Sequence, residues 1–141
     1  MLGYYLDYGT KMKFKVSTTD LDKDEGILYI LEIHLEDKQL VKIGITRRNK
    51  IEERVIEILT SIFKRYREFP YCRPKRFKKT ESVEKNEKIL HEYFKEYNYT
   101  TKFPFGGHTE IFDIPLDAAV EAYEKLLNGE ELGDSYVKSE S

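Results

Sequence analysis

Four side chains in this sequence have the types and spacing to act on a phosphodiester: Tyr29, Lys42, Arg54 and Glu87. Glu87 is the most telling of them. Between Val83 and Tyr97 apolar side chains recur at Val83, Leu90, Phe94 and Tyr97, and the helical slot left over is Glu87. A carboxylate turned toward a core costs several kcal/mol unless a cation or hydrogen-bond donors meet it. An arginine or a metal ion is therefore expected beside it. Arg54 falls between Ile51 and Ile58, so it flanks the apolar stripe of an earlier helix rather than its wet side. Two readings follow. The pair is a structural salt bridge, or it is a phosphate-binding guanidinium beside a metal-binding carboxylate.

These residues need elements to hold them. Ile27 to His34 reads as a buried strand and Leu40 to Thr46 as a second, joined by a polar stretch short enough for a hairpin. If the loop has an even number of residues, Tyr29 shares a sheet face with Lys42, Gly44 and Thr46. Asn49 is the expected cap of the first helix, whose stripe is Ile51, Val55, Ile58, Leu59, Ile62, Phe63 and Tyr66. Pro70 and Pro74 are expected to break the chain before an edge strand over Arg76 to Thr80. Thr80 or Ser82 then opens the helix of Glu87. A glycine-rich loop, a short strand Glu110 to Ile114 and a helix from Leu116 to Gly129 complete the order β-β-α-β-α-β-α, a small α/β sandwich. Residues 1–25 read as an appended arm with a possible strand Met12 to Val16, and residues 130–141 as a disordered tail.

Composition bounds the rest. With 141 residues, 40% hydrophobic and 35% charged, the chain suits one globular domain. No apolar run approaches the roughly 20 residues of a membrane span, no signal-peptide pattern is present, and the single Cys72 excludes an internal disulfide. An intracellular, cytoplasmic protein is expected. The net charge of −2 hides segregation. Lys64, Arg65, Arg67, Arg73, Lys75, Arg76, Lys78 and Lys79 face only Glu68 between Phe63 and Lys79, with Tyr66, Phe69, Tyr71 and Phe77 interleaved. Such a mixture suits phosphate contacts and base stacking. Arg47 and Arg48 could reach phosphates nearer the four residues. His91, one turn after Glu87, reads as a packing or surface residue that could sit beside the site, and Glu110 is an outside candidate for a second carboxylate.

Ile27-Leu28-Tyr29-Ile30, followed by Lys42-Ile43-Gly44-Ile45-Thr46, resembles the paired motifs of the GIY-YIG nuclease superfamily, in its bacteriophage and fungal branch where the second motif reads K-I-G. Arg54, Glu87 and Asn98 match later landmarks in order, and Gly107 to Phe112 is similar to the closing motif. The likeness covers about residues 26–115, with residues 116–129 as a helix packed on that domain. It implies a small three-stranded antiparallel sheet flanked by helices, with an extra C-terminal strand and helix. It also implies a divalent-metal-dependent DNA endonuclease from a phage or mobile element. Glu87 would hold a single Mg2+ or Mn2+, Tyr29 would act near the attacking water, and Arg54 would clamp the phosphate. Two departures stand out: Lys42 replaces the second tyrosine, and Ile58 stands where some members carry histidine. They keep open a nucleic-acid-binding module without catalysis. A protein-interaction domain or inhibitor, engaging a partner through the acidic last helix, is the third class. Oligomeric state, monomer or homodimer, is not readable from the sequence.

Overall fold

The computed structural model describes residues 24–138. The expected strand Met12 to Val16, most of the N-terminal arm and residues 139–141 lie outside them. Strands β1 (Gly26–Leu35), β2 (Lys38–Thr46), β3 (Tyr71–Thr80) and β4 (Ile111–Phe112) form one antiparallel sheet in the order β3-β1-β2-β4. Helices α1 (Ile51–Tyr66), α2 (Val83–Tyr93) and α3 (Leu116–Leu127) cover it. The expected α/β sandwich stands, with the extra C-terminal strand at the sheet edge.

The β1–β2 hairpin turns through Glu36 and Asp37, both at positive φ (55° and 64°). That two-residue geometry matches the strands' own twist. It also sets the register, pairing Tyr29 with Gly44 and Leu31 with Lys42. Period-2 alternation then divides β1 between two cores. Ile27, Tyr29, Leu31 and Ile33 pack with Ile51, Ile58 and Ile62 of α1, while Leu28 and Ile30 pack with Val83 and Leu90 of α2, with Phe94 just after it, and with α3. A strand covered on both faces is buried along nearly its whole length, which is why it reads as a continuous apolar run.

Several boundaries differ from expectation. Lys50, not Asn49, occupies the N-cap of α1, and no side chain caps the helix. Strand β3 starts at Tyr71 and passes through Pro74 instead of beginning after it. Pro74 sits beside a register shift opposite Ile30 and Leu31, on an edge strand, where a missing N–H breaks no central ladder. Glu110 belongs to a short 3-10 turn, His108–Glu110, so the last strand has only two residues. The disordered tail expected from residue 130 does not hold for residues 130–138. Tyr136 packs against Tyr93, Phe94 and Tyr97, its backbone N–H donates to Tyr93 O at 2.8 Å, and Lys138 N donates to the Tyr97 hydroxyl at 3.1 Å. An aromatic shelf gives this polar-looking segment a place to bury one ring.

Candidate active site

Strand β4 covers β2 at Val41 and Lys42, so β2 beyond them is an open edge. The candidate residues gather at that edge. Alternation puts Lys42 on the α1 face, where it is fully buried. Its Nζ donates to Glu110 Oε1 at 2.5 Å and to the Tyr29 hydroxyl at 3.2 Å. Arg54 Nε donates to the same hydroxyl at 3.3 Å, and its Nη1 to Glu57 at 3.2 Å. Burial opposes the Arg54 charge, but Tyr29 and Glu57 outweigh it and raise the guanidinium above its ordinary value. Tyr29 thus receives two cationic donors on one oxygen. The conditional reading of the hairpin is met: Tyr29, Lys42, Gly44 and Thr46 share a face.

Glycine at positions 44 and 107 is dictated by these contacts. A Cβ on Gly44 would lie 2.5 Å from the Tyr29 hydroxyl oxygen and 3.0 Å from Glu110 Oε1. Gly107, at φ +81°, passes so close over Lys42 that a Cβ would meet its Cε at 2.8 Å. The loop before β4 therefore lids Lys42. Asn98 is a strut for that loop, its Nδ2 donating to Thr109 O at 2.9 Å and Ile111 O at 3.1 Å on either side of Glu110. Thr46 Oγ1 accepts from Arg48 N at 3.1 Å and ties the end of β2 to the turn before α1.

Glu87 and His91 reach the same edge from α2. His91 Nε2 lies 2.7 Å from Ile43 O and 3.8 Å from Glu87 Oε2. The carbonyl needs a donor, so Nε2 carries the proton and the free lone pair is on Nδ1. Glu87, His91 and Glu110 bring ligand atoms within 4.8 Å of one another. Glu87 Oε2 is the one buried side-chain atom among the described residues with no hydrogen-bond partner. Its carboxyl is pushed up to about 7, first by burial, then by the charge and hydrogen bonding of Glu110, with Lys42 pulling the other way. Two carboxylates crowded together beside an unpaired buried oxygen fit a hard divalent cation, which takes oxygen ligands and keeps waters. A groove of about 720 Å³ lined by Ile45, Glu84, Lys85, Glu87, Lys88 and His91 opens onto this cluster.

The structure thus brings together Tyr29, Lys42, Arg54 and Glu87. Arg54 touches no carboxylate of α2, and its acidic partner is Glu57 on its own helix, so the Arg54–Glu87 salt bridge is absent among the described residues. Glu110 and His91 join the cluster more closely than the sequence indicated. Their signal was the carboxylate of the closing motif and an i, i+4 spacing from Glu87.

The basic run is not at this edge. Lys64 and Arg65 end α1, Arg67 follows at its C-cap, and Arg73, Lys75, Arg76, Lys78 and Lys79 lie on β3, with β1 between them and β2. Part of the charge is matched. Lys75 lies 3.4 Å from Glu32, Arg76 2.7 Å from Glu124, and Arg73 stacks over Tyr71. Arg47 and Arg48 are nearer the cluster. Arg47 pairs with Glu84 at 2.9 Å, and Arg48 shares Glu57 with Arg54.

None of the described helices is long and apolar enough to cross a membrane. Comparison with curated proteins and with solved structures gives no significant match. The T5orf172 domain matches over residues 26–127, from the first residue of β1 to the last of α3. The chain belongs to the T5orf172 domain family.

Proposed function

We propose that this chain is a divalent-metal-dependent DNA endonuclease, with a single Mg2+ or Mn2+ held by Glu87. Glu110 offers a second carboxylate oxygen, and His91 lies beside the two. The observation that carries the reading is the buried, partnerless Glu87 oxygen beside a second carboxylate. The GIY-YIG-like order of Tyr29, Lys42, Arg54 and Glu87 supports it, and membership in the T5orf172 family fits a phage or mobile-element setting. When bound, the cation supplies charge stabilisation to the phosphoryl oxygens and the leaving group. Arg54, half-buried and held by Glu57, presents its guanidinium as a phosphate clamp. Tyr29 is fully buried, so its part is to position Lys42 and Arg54, both of which donate to its hydroxyl. Lys42 takes the place of the second tyrosine as a donor fixed by Glu110, not as the base.

That last contact favours one rival, a binding module of the same fold without catalysis, since Lys42 is engaged on both sides. Plasmid cleavage decides between them. The purified chain with Mg2+ or Mn2+ should nick or cut DNA, and Glu87→Ala and Arg54→Ala should abolish this. Equal activity in wild type and Glu87→Ala overturns the assignment. DNA binding without metal-dependent cleavage leaves the binding module.

A further inference from the structure

A second cleft lies beside the start of α1, away from the Glu87 groove, with a volume of about 650 Å³. That is within the roughly 300–1,000 Å³ of typical ligand sites. Ile27, Ile51 and Phe77 form its apolar wall, and its charged rim carries Arg48, Lys50 and Lys79 together with the acids Glu25 and Glu52. Phe77 is the odd member. It pairs with Tyr29 across β1 and β3 and so points to the same face as Tyr29, yet it is 52% exposed. Its neighbours on that face, Ile27 and Leu31, are buried. A large ring left half open on a face otherwise covered by a helix wants a partner.

Cations outnumber acids on the rim, so it favours an anion. Lys79 reaches only Glu25 among the described residues, at 4.0 Å, and its side chain is 68% exposed. Arg48 shares the Glu57 carboxylate with Arg54, so one acid orients both the proposed phosphate clamp and the cleft's arginine. A polynucleotide held by Arg54 would have its neighbouring phosphate close to Arg48, and a base of that nucleotide would fall toward Phe77. A paired base is already stacked on both sides and is not free to lie on the Phe77 ring. Aromatic stacking with a cationic rim is the usual way single strands are held without sequence readout.

We propose that this cleft holds an unpaired nucleotide flanking the scissile phosphate, its base stacked on Phe77 and its phosphate facing Arg48, Lys50 and Lys79. The inference deepens the nuclease reading by naming the substrate class: DNA with a single-stranded tail, flap or gap beside the cut.

The test uses the full chain carrying Glu87→Gln, so that binding is measured without cleavage. Fluorescence anisotropy compares a blunt duplex with a duplex of equal length bearing a single-stranded tail. Tailed DNA should bind more tightly, and adding Phe77→Ala should lower the tailed-to-blunt affinity ratio about tenfold, while Phe77→Tyr keeps it within about twofold. A ratio that ignores Phe77→Ala, or a preference for blunt duplex, overturns the proposal. If the ratio depends on Phe77 but wild type cuts no DNA with Mg2+ or Mn2+, the nuclease reading fails and the cleft stands. If wild type cuts DNA and the ratio is insensitive to the ring, the cleft proposal fails alone.

Discussion

Glu36 and Glu87 are both half-buried glutamates, and the protein treats them in opposite ways. Glu36, at the tip of the β1–β2 hairpin, accepts from the Tyr66 hydroxyl, from the Tyr99 hydroxyl at 2.7 Å and from Lys102 N at 2.7 Å. Burial works against its charge, but those donors outweigh it and lower its pKa. One carboxylate thereby ties the hairpin to the end of α1 and to the loop that later lids Lys42. Glu87 is also withdrawn from water, but no donor meets its Oε2, and its nearest acidic neighbour is a second carboxylate. A satisfied carboxylate builds the fold, whereas an unsatisfied one costs stability, and it is the one we propose as a cation ligand.

The largest effect expected is on catalysis. Removing the proposed Glu87 ligand or the proposed Arg54 clamp should each cost about a hundredfold or more in plasmid-cleavage rate, while circular dichroism stays native. Glu110→Gln comes next. It leaves Glu87 in place but strips a ligand charge and releases Lys42, so metal affinity measured by titration calorimetry should fall about tenfold or more.

Stability should then separate the two glutamates by sign. Glu36→Ala leaves two tyrosine hydroxyls and a backbone N–H short of an acceptor, and should destabilise the chain by about 1–3 kcal/mol in urea unfolding. Glu87→Gln should stabilise the metal-free chain. The pH dependence follows from the same contrast. The Glu87 carboxyl is raised from 4.5 to about 7 in the fold, so the folded state holds a proton that the unfolded state releases. Its contribution is present below pH 4.5 and is lost as pH rises through about 7, a loss on the order of 1–3 kcal/mol. The metal-free melting temperature should decline across that range in wild type and stay flat in Glu87→Gln. Glu36 has the opposite sign. Its lowered pKa makes its contribution full above the ordinary carboxylate range and lost on acidification below it. Glu36→Gln, which keeps the shape and a single carbonyl acceptor, should give the smallest change of the series.

Much of this was legible in the sequence, for physical reasons. The gap in the apolar stripe at Glu87 exposes a buried charge directly, and the alternation of β1 and β2 predicts which residues share a face once the loop length is even. The position of Arg54 beside Ile51 and Ile58 likewise predicts a half-buried arginine, but not its contact with Tyr29. What could not be read were contacts set by loops and long-range packing. Glu110 reaches Lys42 only because Gly107 and Asn98 fold its loop over the sheet edge. The hub at Glu36 joins residues from three segments distant in sequence. Tyr136 looked like part of a polar tail because its shelf of Tyr93, Phe94 and Tyr97 exists only in the folded chain. The basic run is continuous in sequence, but β1 separates its β3 residues from the open edge of β2.

The central claim is that the unpartnered oxygen of Glu87 is a cation's seat. Titration of metal-free protein with Mn2+ at pH 7.5, followed by calorimetry, tests it most directly, with wild type and Glu87→Gln compared side by side. The expected result is one ion bound per wild-type chain, with protons released on binding, and no saturable binding by Glu87→Gln. Equal binding by the two proteins would contradict it.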